Sequence, residues 1–421
     1  MIRRTVLTAV LLTLLVPFLF ASGSQEAPAE DVVELDFWSW RVEDVDQYEE
    51  LISRFEEDNP GIQVNFNAVQ QTEYNTVLSA ALQGGSGPDI IHLRAYGGLE
   101  QFAQPGYLMP LDGEIPELDN IPEGVLRGAT SIDDGRVYGV PFASQTLLVY
   151  YNKGMYDELG LEEPETWDEF ISNLEAMEAE GITPLANGAA DGWTLEVMSG
   201  VLSPNFYGAN DFFNEIIEGE TDFTDQRYVD SLDVLLELRD YMPDGFMGVS
   251  YVDMQASFIN EIAGHFIGGS WEAAYFESQN PDLDLGIFAG PVENSGDTRY
   301  VSSFVDGSFG ASADTEHPEA AQRFLAFLMS EEAGQYFAEE LKLLSDVPGV
   351  EVDDPFLQEV LEMNLNSTPY IHLVGFRYQQ PTGSTLLQSA LQEMFDGAIS
   401  AEEAAAQVQR GLETWFEPFQ D

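Results

Sequence analysis

Cysteine is absent from the 421 residues, and lysine occurs only at Lys153 and Lys342. Without cysteine the chain has no disulfides, no thiolate metal sites and no thioether lipid anchor. Neither lysine follows a glycine, which excludes a phosphate-binding P-loop. Long apolar stretches are scarce as well. A single one runs from Val6 to Phe20, broken by Thr8, Thr13 and Pro17. It is short for a membrane span, which needs about 20 apolar residues. Arg3 and Arg4 precede it, and Ala21, Ser22 and Gly23 follow. This is the three-part layout of a secretory signal. Residues 1–23 are therefore expected to be a signal peptide and residues 24–30 a flexible leader, with the rest of the chain exported. Leu19-Phe20-Ala21-Ser22-Gly23 has the form of a lipoprotein signal with glycine in place of the lipidated cysteine.

What is abundant is negative charge. Seventy-five acidic residues face fifteen basic ones, a net charge of −60. Such a chain repels nucleic acid and anionic lipid surfaces. Aromatic residues make up 12%, too many for a disordered acidic chain. The charge is thus expected to be a solvated acidic surface suited to a saline habitat, where salt screens self-repulsion. The other reading of the charge is a field that attracts a cationic ligand.

The chain alternates between two patterns. Val32 to Trp38 reads as a strand, and Val45, Tyr48, Leu51, Ile52 and Phe55 follow at helical spacing. Ile62, Val64 and Phe66 mark a second strand, Tyr74 to Leu82 a second helix, and Asp89 to Leu93 a third strand. Strand–helix–strand–helix–strand implies a parallel α/β sheet with right-handed crossovers. A second α/β stretch begins near Val137, with a strong strand over Leu147–Tyr151. Thr166 with Glu169 forms a capping box for a helix through Met177, and Ser400 with Glu403 caps the last helix. Residues 190–260 read as mostly helical. Ala263–Ile267 and Leu285–Ala289 read as further strands, and Pro318 as a helix start. The length suits two domains.

Signatures of catalysis are missing. There is no G-x-S-x-G elbow, no H-E-x-x-H and no EF-hand calcium loop. His92, His265, His317 and His372 are scattered, with no pair at metal-ligand spacing. No cofactor, no metal and no catalytic residue is therefore expected. Carboxylate pairs carry no information in so acidic a chain, which leaves a glycan-acting enzyme open as an alternative.

Several segments carry a family resemblance, in order. They include Phe55-Glu56-Glu57-Asp58-Asn59-Pro60-Gly61-Ile62, Gly84-Gly85-Ser86-Gly87-Pro88-Asp89-Ile90 and Gly106-Tyr107-Leu108-Met109-Pro110-Leu111. Asp134-Gly135-Arg136-Val137-Tyr138-Gly139-Val140-Pro141, Tyr150-Tyr151-Asn152-Lys153, Pro164-Glu165-Thr166-Trp167, Gly268-Gly269-Ser270-Trp271 and His317-Pro318-Glu319-Ala320-Ala321 continue the series. Together they resemble the extracellular solute-binding proteins of ABC importers, the large carbohydrate-binding family that includes maltose-binding protein. One departure is Gly264-His265-Phe266, where the family often has a small residue before its Met or Phe. The resemblance implies a two-lobed α/β periplasmic-binding-protein fold of type II. Each lobe would be a mostly parallel sheet flanked by helices, with a ligand cleft between. It implies an N-terminal lobe of 31–143 plus 303–345 and a C-terminal lobe of 144–302 plus 346–421. It further implies a soluble extracytoplasmic monomer that hands a small ligand to membrane permease subunits.

In open α/β sheets ligands sit beyond the carboxyl ends of the strands. Trp38, Trp40 and Arg41 lie at or just after the end of the first strand. Gln70 and Gln71 follow the second, Arg94 and Tyr96 the third, and Trp271 the Ala263–Ile267 strand. Trp193 lies in a polar loop, Asp306 at an expected crossover, and Arg377 on the other lobe. Aromatic faces stack on the C–H face of a pyranose, and Arg and Gln offer hydroxyls fixed planar donors and acceptors. These residues are therefore expected to bind a sugar or oligosaccharide. A cationic solute such as a polyamine is the alternative ligand. Trp167 and Trp415 are expected to pack.

Overall fold

The computed structural model describes residues 32–420, so the expected signal and leader segments lie outside the described residues. Among the described residues ten strands join in one sheet, seven along a single path and three beside it. They are β1 (Val33–Ser39), β2 (Ile62–Ala68), β3 (Ile90–Arg94), β4 (Val140–Asn152), β5 (Thr183–Leu185), β6 (Ala263–Gly269), β7 (Leu285–Phe288), β8 (Val301–Ala311), β9 (Leu344–Ser345) and β10 (Ser367–Pro369). The order is β2-β1-β3-β8-β4-β6-β5, with β10 on β8 and both β7 and β9 on β4.

The first three strands pair in parallel, as their helical crossovers require. Linking strands then make the sheet mixed. β8 runs antiparallel to β3 and to β4. β4 changes partners along its length. Val140–Thr146 pairs with β8, and Leu147–Asn152 pairs with β6 and β7. β9 lies on β4 at Ala143 and Ser144. β4, β8 and β9 thus run where the two lobes meet. Only the second half of β4 reads as a strand in the sequence. Pro141 sits at a register shift in the first half, where a proline is tolerated and alternation is lost.

Each lobe has its own core. In the first, Phe37 meets Tyr48, Phe66, Phe309 and Phe324 edge-on, all under helices Val45–Asp58 and Pro318–Leu328. In the second, helices Gly192–Leu202, Gly383–Asp396 and Ala401–Leu412 bury Leu195, Met198, Leu387, Leu391 and Val408. The Thr166 and Ser400 capping boxes both form. Trp167 packs at 7% exposure and donates to Glu237. Trp415 lies beyond the last α-helix, which ends at Leu412, and its indole N–H donates to the Pro381 carbonyl.

The lobes touch. Ala95 and Tyr96 share a buried cluster with Tyr370 and Phe376. Gly97 passes so close to Arg377 that a methyl there would lie 2.1 Å from the Arg377 carbonyl oxygen, so only glycine permits the approach.

Candidate functional site

A cavity of about 490 Å³ lies between the lobes. That is room for a small ligand, within the roughly 300–1,000 Å³ typical of such sites. The parallel strands β1, β2 and β3 end at the same sheet edge, and the residues just past those ends form one wall. Trp40 and Arg41 follow β1, Gln70 and Gln71 follow β2, and Arg94 closes β3. The opposite wall repeats the device. Trp193 opens the helix after β5, and Trp271 follows β6. Asp306 enters from β8, and Arg377 from the segment after helix Ile371–Gly375.

Trp38 and Tyr96 do not line this cavity, contrary to the sequence expectation. Trp38 is still within β1 and packs against the core cluster of Tyr74 and Leu78, its carbonyl accepting from Tyr74. Tyr96 has a positive φ of 57° ahead of helix Gly97–Ala103. It is 5% exposed, and its hydroxyl accepts from the Val305 N–H at 3.3 Å.

Trp40 lines the cavity but offers no open ring face. His92 stacks on it at 3.7 Å between centroids, and the Arg94 guanidinium lies 4.4 Å from its ring centroid. His92 and Arg94 are two apart on β3, so their side chains project from one side about 7 Å apart. That spacing admits one ring between them, so the pair clamps Trp40. The partly exposed aromatic rings of the lining belong chiefly to the other wall: Trp193 and Trp271, with Tyr251 and Tyr275. Gly269 makes the placement of Trp271 possible, since a methyl there would fall 1.9 Å from the indole.

The charges are organised by pairing. Arg41 Nε lies 2.6 Å from Asp44 and 3.3 Å from Glu43. Burial works against its charge, yet those two carboxylates hold its pKa well above the ordinary value. Burial, with Arg377 nearby, pulls Arg94 down to about 10. Asp306 accepts from the Gln145 amide, and burial raises its pKa against the pull of Arg41. Glu196 accepts from Ser384 and Gln388, each at 2.6 Å, with Arg377 Nη2 at 3.7 Å.

Behind the aromatic wall sits Glu272, 1% exposed. It accepts from the Tyr251 hydroxyl, the Trp271 indole N–H at 2.9 Å and the Gln255 amide at 2.8 Å. Burial pushes its pKa up to about 7, although those hydrogen bonds pull the other way. One carboxylate therefore fixes three cavity side chains.

Three of the four histidines are built into the core. His92 bonds Ser39 at 2.8 Å, His265 bonds Tyr156 at 2.6 Å, and His372 bonds Tyr228 at 2.8 Å. Among the described residues no cluster of His, Asp and Glu is arranged to hold a metal ion. Nor is any described helix long and apolar enough to cross a membrane.

Sequence reading missed Glu196, Tyr251, Gln255, Tyr275, Phe304 and Tyr370 as cavity residues. Tyr251 and Gln255 lie one turn apart on helix Tyr251–Ile259, beside its buried stripe of Met254 and Phe258. That spacing was the available signal. Which polar face meets the cleft is decided by tertiary packing.

Two lobes closing around a cavity beyond strand ends define a protein built to enclose a small molecule. The chain belongs to the bacterial extracellular solute-binding protein family, whose model matches residues 40–335. That family consists of solute-binding proteins rather than enzymes, and it acts outside the cytoplasm. The chain is 27% identical over 321 residues to a multiple sugar-binding protein of Streptococcus mutans serotype c, covering 73% of this chain and 74% of that one. It is 23% identical over 355 residues to a probable sugar-binding periplasmic protein of Rhizobium meliloti, covering 81% and 84%. Among solved structures, a chitin oligosaccharide binding protein aligns over 92% of this chain and 100% of its own, with 23% identity and a TM-score of 0.78. RafE in complex with raffinose aligns over 93% and 100%, with 21% identity and a TM-score of 0.77.

Proposed function

We propose that this protein is the substrate-binding component of an ABC importer and captures a sugar or oligosaccharide between its lobes. The observation that carries the reading is the cavity's division of chemistry. Trp193 and Trp271 offer ring faces on one side, while Arg41, Arg94, Gln70 and Gln71 offer planar polar groups on the other. A pyranose has an apolar C–H face and hydroxyl edges that match this pair of walls. The relatives named for sugars support the same class. Trp40, Arg41, Gln70, Gln71, Arg94, Trp193, Trp271, Asp306 and Arg377 are the proposed ligand contacts.

The lobes are proposed to divide as 31–143 plus 303–345 and 144–302 plus 346–421. The partner change of β4 between Thr146 and Leu147 supports this division. Ligand bridges the walls and shifts the population toward the closed form, since only that form offers both sets of contacts. A membrane permease then reads the closed shape. The protein is proposed to act as a secreted monomer without catalytic activity.

A polyamine fits the cavity less well. Its lining carboxylates Glu43, Glu196 and Asp306 are already engaged by Arg41, Ser384, Gln388 and Gln145. Thermal shift with sugars and polyamines in high salt tests the reading. A ligand at 100 times its dissociation constant stabilises by roughly 2.7 kcal/mol. Stabilisation by a sugar supports it, and stabilisation by polyamines alone overturns it.

A further inference from the structure

Three arginines and three carboxylates line the cavity, and one of those arginines has no ion-pair partner. Arg41 is paired with Asp44 and Glu43, and Arg377 lies beside Glu196 and donates to Ser384 at 2.6 Å. Each lining carboxylate accepts a hydrogen bond or faces an arginine. Arg94 differs. Among the described residues no carboxylate forms an ion pair with it. Its one hydrogen bond is a long one, 3.4 Å to the Gln71 carbonyl. An arginine carries five N–H donors, so most of this fork is unused. In a chain with 75 acidic residues against 15 basic ones, a partner was cheap to supply, yet none is placed there.

The fork is nonetheless held in position. Its guanidinium lies over the Trp40 ring, 4.4 Å from the centroid, and Trp40 is itself stacked on His92. Gly98 leaves room for its stem, since a methyl there would sit 2.6 Å from the Arg94 Cβ. Burial disfavours the Arg94 charge, and Arg377 across the cavity adds to that effect. Asp306 relieves it in part, but Arg41 bears on Asp306 more than Arg94 does. A neutral hydroxyl accepts a hydrogen bond from such a fork without offsetting its charge. A carboxylate does both, through two parallel N–H···O bonds.

We propose that Arg94 is the anchor for a carboxylate on the ligand, and that the ligand is an acidic saccharide carrying a uronic acid unit. Arg377 faces that carboxylate from the other lobe, so the anion lies between two cations that closure brings together. The inference rests on the sugar reading and narrows it.

Isothermal titration with matched saccharides tests it. The probes are disaccharides ending in glucuronate, galacturonate or mannuronate, and their neutral glucose, galactose and mannose counterparts, titrated at low and high salt. The wild type is expected to bind one uronate at least tenfold tighter than its neutral counterpart, with the margin shrinking as salt rises. Arg94→Gln is expected to reduce the margin to near one, and Arg94→Lys to retain part of it. Unchanged melting temperatures of the ligand-free variants establish that they fold. Equal or tighter binding of the neutral sugars by the wild type overturns the acidic assignment and leaves sugar binding standing. A margin that survives in Arg94→Gln overturns Arg94 as the anchor. No binding of any saccharide overturns both readings.

Discussion

The wall built by β1, β2 and β3 and the wall built after β5 and β6 meet the ligand with different materials. The first offers guanidinium groups and amides, and its one tryptophan is clamped between His92 and Arg94. The second offers Trp193, Trp271 and Tyr251, and its carboxylate Glu272 is hidden behind them as a fastener. Both walls draw residues from the carboxyl ends of parallel strands, Trp193 and Trp271 in the second, so topology alone does not separate them. Side-chain chemistry does. One wall supplies directional polar contacts that discriminate between ligands, and the other supplies apolar area.

This contrast can be broken by substitution. The largest effect is expected from Arg41→Ala, which leaves Asp44 buried beside no cation. Removing one partner of a buried pair costs about 4 kcal/mol of stability. Urea unfolding should show it, and Arg41→Ala/Asp44→Ala should recover part of the loss. An unchanged midpoint in the single variant would mean that the polar wall is not pre-organised by this pair.

The next effect concerns pH. The Glu272 pKa stands at about 7 in the folded protein, against about 4.3 for an unperturbed glutamate. Between those values the folded chain keeps a proton that the unfolded chain has lost. The stability this confers is fully present below about 4.3 and is lost as pH rises through about 7. At 1.36 kcal/mol per unit the loss is on the order of 3 kcal/mol. Wild type should therefore lose more stability between pH 4.5 and pH 8 than Glu272→Gln does. Parallel pH profiles would remove Glu272 from the account.

Affinity changes are smaller. Trp271→Ala removes an open stacking face and should weaken sugar binding by about 2 kcal/mol, roughly thirtyfold. Trp40→Leu acts mainly through the placement of Arg94 and should cost about 1 kcal/mol, the scale of a partly desolvated cation–π contact. Calorimetry gives both numbers. A larger loss for Trp40 than for Trp271 would reverse the assignment of the two walls.

Much of this arrangement was legible in the sequence. Strand ends in the first lobe are marked by apolar alternation that stops abruptly, so Arg41, Gln70, Gln71 and Arg94 were readable from position alone. The clamp on Trp40 was not read from the sequence, although His92 and Arg94 are two apart and share a face, because it depends on where the chain after β1 turns back. The cavity residues on helices were not legible. Glu196 and Tyr251 look like ordinary helix positions until packing selects the face that meets the cleft. The first half of β4 was obscured by Pro141 and by Ser144-Gln145-Thr146. Those three polar side chains bond to Asp346, Asp306 and Asn364, so they serve the join between lobes rather than a core.

Ligand-driven closure is the centre of this account, and small-angle X-ray scattering addresses it most directly. The radius of gyration should be measured without ligand and with a saccharide that calorimetry shows to saturate the protein. The radius should be smaller when the ligand is bound, with no such change in a variant that lacks both Trp271 and Arg94. Saturating binding with an unchanged radius would contradict it.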